Sequence, residues 1–129
     1  MIEKKSLEKL EKWLPAIIVM AIIFIASSTS GKVINAVGLG SEAYHINAHF
    51  VLFMLLCISY YKATKNVFYA ITLTFIFALL DETHQLFTPF RSSSIFDILV
   101  DTAGAFISGG LIWRFQHILP KKLKNWLLK

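Results

Sequence analysis

Val67-Phe-Tyr-Ala-Ile-Thr-Leu-Thr-Phe-Ile-Phe-Ala-Leu-Leu80, continued without a break by Asp81-Glu-Thr-His-Gln85, decides the fold. The first fourteen of these residues carry no charge. As a helix rising ~1.5 Å per residue they reach roughly 20 Å into a hydrocarbon layer ~30 Å thick. A helix apolar on every side has to be enclosed, by protein or by lipid. Residues 14–26 and 50–59 have the same character, as does 95–113 apart from Asp97 and Asp101. The chain has 129 residues, of which 56% are hydrophobic, and a mean hydropathy of +0.61. Soluble domains lie nearer 45–50% apolar, so lipid is the enclosing medium.

Four spans are predicted, at about 13–28, 45–61, 67–87 and 95–113. Each is near the ~20 residues a spanning helix needs. Helices are expected because backbone polar groups in hydrocarbon must pair within their own segment. The expected fold is all-α: one integral membrane four-helix bundle covering residues 1–129. Pro15 would fall in the first turn of the first span, where a missing N–H costs little. Lys62-Ala-Thr-Lys-Asn66 reads as a tight polar turn that makes a hairpin of spans two and three. Pro89 and Ser92-Ser-Ser94 mark the next turn, with Ser94 as an N-cap. At the ends, Leu7, Leu10 and Leu14, and again Leu123, Trp126, Leu127 and Leu128, alternate with charged residues, the pattern of interfacial amphipathic segments.

The net charge of +5 does not mark a nucleic-acid binder, because the lysines flank the spans and suit lipid headgroups. Eleven Lys and Arg residues lie in the two tails and the 62–66 turn, against only Lys32 and Arg91 on the other side. Basic residues gather on the cytoplasmic side, so both termini are expected there. A cleaved leader is disfavoured by Glu3, Glu8 and Glu11 in the basic start. Cys57, the single cysteine, lies in an apolar run and reads as a packing residue.

The polar residues inside the spans fall at shared depths. His49 is thirteen residues from Lys62, Asp81 fourteen from Val67 and Asp101 thirteen from Arg114. All three lie roughly 20 Å from the cytoplasmic boundary. One turn further out come His45, Gln85 and Asp97, each four residues from a member of the first layer and so on the same helix face. Arg91 lies in the loop above them and, as the only local permanent cation, is expected to pair with at least one of the acids. A charge at the bilayer centre costs about 2.5–3.5 kcal/mol. Asp81, Glu82, Asp97 and Asp101 face only one local arginine, so extra protons, protonated histidines or a bound divalent cation must balance them.

Asp81, Glu82, Asp97, Asp101 and His49 are the candidates for acid–base chemistry or cation ligation. Arg91, Gln85, His84 and His45 are candidates for contacting a substrate. The competing reading is a hydrogen-bonded network that only glues the helices together. Proton or ion relay ranks last, because Thr72, Thr74 and Ser108 are the main polar groups continuing towards the cytoplasm. No Gly-x-Ser-x-Gly elbow, phosphate-binding loop or His-Glu-x-x-His pattern occurs.

Leu80-Asp-Glu-Thr-His-Gln-Leu-Phe-Thr-Pro-Phe-Arg91, Phe96-Asp97 and Asp101-Thr-Ala-Gly104 together resemble the Asp-Glu-x-x-Gln, Pro-x-Arg and Asp-x-x-x-Asn/Asp-x-x-Gly pattern of the VanZ-like membrane proteins. Phe24-Ile-Ala-Ser-Ser28 and Ala48-His49-Phe50 resemble that family's serine-ended first helix and second-helix histidine. The chain departs from the pattern at Phe90, where the family often has glycine, and at Leu52-Phe53, where it often has Glu-Tyr. The resemblance implies a multi-pass protein of a bacterial cytoplasmic membrane, sometimes linked to teicoplanin tolerance. The layered acids and histidines, and not the resemblance, lead to the first expectation: an enzyme acting from the outer face on a lipid-linked or cell-wall precursor, with membrane lipid around it. The resemblance implies no reaction, and a non-catalytic module holding lipid, antibiotic or a partner protein stands as the alternative.

The charge asymmetry is open to test in intact cells, with Cys57 replaced by Ala. A membrane-impermeant thiol reagent is expected to label Lys32→Cys and to leave Lys65→Cys unlabelled. The reverse pattern would invert the orientation.

Overall fold

The computed structural model describes residues 1–38, 41–91 and 93–129; the side chains of Glu42, Ala43 and His45 also lie outside the described residues. Its helices are α1 (Ile2–Ser28), α2 (Gly31–Ala36), α3 (Glu42–Thr64), α4 (Val67–Gln85), α5 (Ile95–Phe115) and α6 (Lys121–Leu128). No strand occurs among the described residues. Four segments, Ile2–Ser28, Ile46–Thr64, Val67–Gln85 and Ile95–Phe115, are long and apolar enough to cross a membrane. The surface has the matching polarity. Leu80, Leu99, Phe106 and Trp113 are exposed, whereas Ser27, Thr74, Gln85, Asp101 and Ser108 are buried. Such a surface suits lipid, since a soluble bundle would leave large apolar patches facing water.

α3 is the central helix, packed against α1, α4, α5 and α6. Phe53, Leu56 and Cys57 on α3 meet Ile23, Ala70, Ala78 and Ala105 in the core. α5 comes very close to α3 because Gly104 carries no side chain: a Cβ there would lie 2.9 Å from the Phe50 carbonyl oxygen. At Gly109 a Cβ would lie 2.7 Å from Ile71 Cδ1 on α4. With Ala105 and Ser108, also buried, these glycines form a small-residue face of the kind that lets membrane helices approach. Cys57 Sγ donates to the Ala105 carbonyl at 3.4 Å, in the packing role expected of it.

The α3–α4 hairpin forms as expected, but its turn is tighter than 62–66, because α3 runs through Thr64 and only Lys65 and Asn66 lie between the helices. Lys65 takes a left-handed conformation (φ 57°) and its N–H returns to Tyr61 O, while Asn66 caps α4 by accepting from Tyr69 N–H. Ser94 caps α5 by accepting from Asp97 N–H. The third span ends at Gln85, two residues before the expected limit.

Three features differ from expectation. α1 is one helix from Ile2, with Pro15 inside it and not at its start. The Lys/Glu-rich segment before Pro15 is built of good helix formers, so the helix runs through the proline and forgoes one backbone hydrogen bond. α2 was not foreseen; Ser30 caps it by accepting from Lys32 N–H. α6 is docked on the bundle as well as amphipathic. Lys62 Nζ donates to Trp126 O at 2.6 Å and sits 4.6 Å from the centre of that indole ring, while Lys65 Nζ donates to Leu127 O. These cations meet the carbonyl end of α6, the end a helix dipole makes negative. Burial, with Lys62 and Lys12 nearby, lowers the Lys65 pKa below its ordinary value.

Gly104→Ala is expected to cost about 1–3 kcal/mol, since the new methyl group must push α5 off a backbone carbonyl. At Gly110 an added Cβ meets nothing within 4 Å. Gly110→Ala should therefore be neutral, or should stabilise by up to about 1 kcal/mol through helix propensity. Thermal unfolding of the two variants in detergent checks the contrast.

Candidate functional site

His49 lies seven residues into α3 from Glu42, Asp101 six into α5 from Ile95, and Asp81 four from the end of α4 at Gln85. At ~1.5 Å per residue these offsets are roughly 10, 9 and 6 Å, so the three lie between about one and two turns in from the same end of the bundle. Their side chains converge. His49 Nδ1 is 3.5 Å from Asp101 Oδ1 and 4.0 Å from Asp81 Oδ2. One ligand-type atom from each lies within 4.8 Å of the other two, and all three residues are buried. The close passage at Gly104, three residues beyond Asp101, lets a short aspartate reach across to α3. Beneath them Phe53 stacks on the imidazole at 6.0 Å and seals the core side.

A chain of hydrogen bonds ties the trio to α1. Gln85 Nε2 donates to Asp81 Oδ2 at 2.9 Å and to Ser27 Oγ at 3.3 Å. Thr88 Oγ1 donates to Ser27 O at 3.1 Å, and an Arg91 terminal nitrogen donates to Ala26 O at 3.3 Å. The last carbonyls of a helix have no partner within it. Thr88 and Arg91 supply donors to those of α1.

Arg91 was expected to pair with an acid. Among the described residues it makes no ion pair within 4.0 Å, and its guanidinium goes instead to the negative end of α1. Burial lowers its pKa; Asp81, Asp97 and Glu82 act in the opposite direction.

The remaining candidates divide. Glu82 Oε1 accepts from Ser94 N–H at 2.6 Å, and the Glu82 carbonyl accepts from Ser93 Oγ. Asp97 Oδ2 accepts from Ser94 Oγ at 2.9 Å, while Asp97 N–H donates to that same hydroxyl. Ser94 and Asp97 therefore form a capping pair, with Glu82 of α4 taking the Ser94 N–H that the acid at the third helical position of a capping box usually takes. These two acids organise the start of α5. His84 points to α1, where its ring stacks on Phe24 at 4.7 Å and its Nε2 meets Ser28 Oγ at 2.8 Å. Ser28 Oγ donates to Phe24 O, so His84 Nε2 is the donor in that contact. The side chain of His45 lies outside the described residues.

A cavity of about 340 Å³ opens beside the trio. Ala26, Val33, Ile34, Val37, Ala48 and Leu52 give it apolar walls, and His49 and Arg91 supply polar groups. His49 thus belongs both to the buried trio and to the cavity wall. A wider cavity, about 430 Å³, lies at the other end of the bundle among Glu8, Glu11, Lys12, Lys62 and Lys129. It holds no convergent buried acids, so size alone does not single out the site.

The VanZ/LLP1 family model matches residues 12–117, from within α1 to just past the end of α5. The chain belongs to the VanZ/LLP1 family. Neither curated proteins nor solved structures gave a match. In this VanZ/LLP1 chain both departures from the family pattern have a structural place. Phe90 adopts φ 58°, the left-handed region where glycine is at ease. Its ring lies 4.3 Å from Lys32 Nζ, joining the α4–α5 loop to α2. Leu52 makes the cavity wall apolar where a glutamate would have charged it.

The roles of Ser27, Thr88, Ser93 and Ser94 around the acids were not read from the sequence as part of the site. The serine-ended first helix was the one available signal for Ser27.

Ser94→Ala removes the α5 cap and is expected to cost about 1 kcal/mol of stability. Thermal unfolding measures the loss. An unchanged melting temperature would contradict a capping role for the Ser94 hydroxyl and its contacts with Asp97.

Proposed function

We propose that this VanZ/LLP1 protein acts on an amphiphilic envelope molecule, a lipid-linked or cell-wall precursor, taken from the leaflet on the α2 side. His49, Asp81 and Asp101 form its chemical centre. The observation carrying this reading is the double position of His49, against two buried carboxylates on one side and in the wall of an apolar cavity on the other. An apolar cavity with a few convergent polar groups is the usual form of a small-ligand site. An apolar chain fits Val33, Ile34, Val37 and Leu52, while an anionic headgroup would meet Arg91 and the imidazole. The imidazole between two carboxylates is equipped to take and return a proton.

The orientation in which this face is extracytoplasmic, with both termini in the cytoplasm of a bacterial cell, rests on the basic-residue asymmetry. An effect on teicoplanin tolerance would follow if the molecule handled is a wall precursor. Non-catalytic binding is the second reading. It draws support from Glu82 and Asp97, whose capping contacts leave two acids, not four, at the centre.

Asp81→Asn and Asp101→Asn separate a chemical site from helix glue. Asn keeps the size and much of the hydrogen bonding, and loses the charge and the proton. Both variants are expected to express, insert and melt near the parent temperature while losing the envelope phenotype in a glycopeptide-tolerance assay. Full tolerance at normal expression would sink the chemical role. Loss of expression together with tolerance would favour helix glue.

A further inference from the structure

We propose that His49, Asp81 and Asp101 bind a divalent cation of the zinc type, which receives the anionic headgroup of a ligand lying in the adjacent cavity. The inference rests on the function proposed for the same site and gives it a metal and a ligand chemistry, with metal ligation replacing proton transfer as the role of the imidazole.

Geometry comes first. Three donors on a tetrahedral zinc, with bonds of about 2.0–2.2 Å, lie roughly 3.3–3.6 Å apart. His49 Nδ1 is already 3.5 Å from Asp101 Oδ1 and 4.0 Å from Asp81 Oδ2. All three ligand atoms lie within 4.8 Å of one another, so small rotamer adjustments would bring them onto one ion. One imidazole and two carboxylates suit zinc better than magnesium, which prefers oxygen ligands and keeps several waters. Three protein ligands are also the number that leaves a zinc ion one position for a water or a ligand.

Charge gives a second line. With both aspartates ionised and the imidazole protonated, the trio still holds one net negative charge in the bundle interior. Among the described residues no Lys or Arg pairs with either aspartate within 4.0 Å. A divalent cation beside a neutral imidazole brings the sum to zero, and buried charge is tolerated when it is paired or bound to a metal.

The third line is an orphaned group. Asp101 is 1% exposed, and its Oδ2 accepts no hydrogen bond within the described structure. Buried polar atoms of this kind call for an explanation, and an ion is one of the recognised ones. Asp81, by contrast, is already oriented by Gln85 Nε2 at 2.9 Å, the kind of outer contact that fixes a metal-binding carboxylate. A positive centre would also solve a problem of ligand chemistry. Without it, a phosphate-bearing lipid reaching His49 would meet two carboxylates with only Arg91 in its favour.

The experiment uses the untagged full chain in detergent, treated with a chelator and titrated with Zn²⁺ by calorimetry, with melting temperature as a second readout. One zinc per chain is expected, with a higher melting temperature for the loaded protein. Asp101→Asn should weaken binding beyond the roughly 10–100-fold that loss of an outer contact causes, the range expected for Gln85→Met. Asp97→Asn should bind zinc as the parent does. A parent chain that neither takes up one zinc nor melts higher with it overturns the proposal, and that readout needs no variant to fold. Equal binding by parent and Asp101→Asn overturns it too, by placing the metal elsewhere. If the parent binds no zinc while the Asn variants lose tolerance, the metal fails and the site reading stands. If zinc binds and the Asn variants keep tolerance, the metal stands and the functional reading fails.

Discussion

Two carboxylates and an imidazole have to be held inside a thin bundle that offers them almost no water. Asp101 is 1% exposed, Asp81 4% and His49 5%, so nearly all their solvation must come from one another and from the helices around them. This constraint organises one half of the molecule. Gly104 lets α5 approach α3 closely enough for Asp101 to meet His49. Gln85 turns Asp81 inward, and Ser27 holds Gln85 in turn. The end of α1 then becomes part of the same network, because Thr88 and Arg91 bond its last carbonyls. The tie between the peripheral α1 and the end of α4 is thus polar, where membrane helices otherwise rely on close packing.

The four acids near this face do two different jobs. Asp81 and Asp101 point into the bundle at the level of His49. Glu82 is the chain neighbour of Asp81, and a step of about 100° around the helix turns it towards the start of α5, where it takes the Ser94 N–H. Asp97 completes that cap. The capping work bears on the site through position alone. It sets where α5 begins, and so sets the depth at which Asp101 arrives.

The spans and the convergent depth of His49, Asp81 and Asp101 were legible in the sequence because both depend on spacing along helices. Hydrophobic length marks where a span lies, and a rise of ~1.5 Å per residue turns distance from a boundary into depth. Rotation about the helix axis was harder to read. Spacing put Asp97 one turn from Asp101, yet a residue in the first turn of a helix has a local partner in its own cap. Arg91 was assigned to the acids on charge alone. The competing attraction, the Ala26 and Ser27 carbonyls at the negative end of α1, arises only once α1 and the α4–α5 loop are adjacent. Continuity of α1 through Pro15 was missed for a related reason: a single proline reads as a boundary, although strong helix formers on both sides outweigh one absent hydrogen bond.

The cavity and the trio share a wall at His49, and this fixes the direction from which a ligand would arrive. Phe53 and the α3–α5 contact at Gly104 close the bundle on the core side of the imidazole. Gln85 and Ser27 fill the space towards α1. The open side is the cavity under α2, whose walls are Val33, Ile34, Val37 and Leu52. Leu52 gives the approach to His49 an apolar side chain on that wall. An additional carboxylate at that position would repel an anionic headgroup and would bring a further ligand for a cation. With leucine there, the wall suits a ligand that enters by its apolar chain, and the charge balance of the centre is left to the two aspartates.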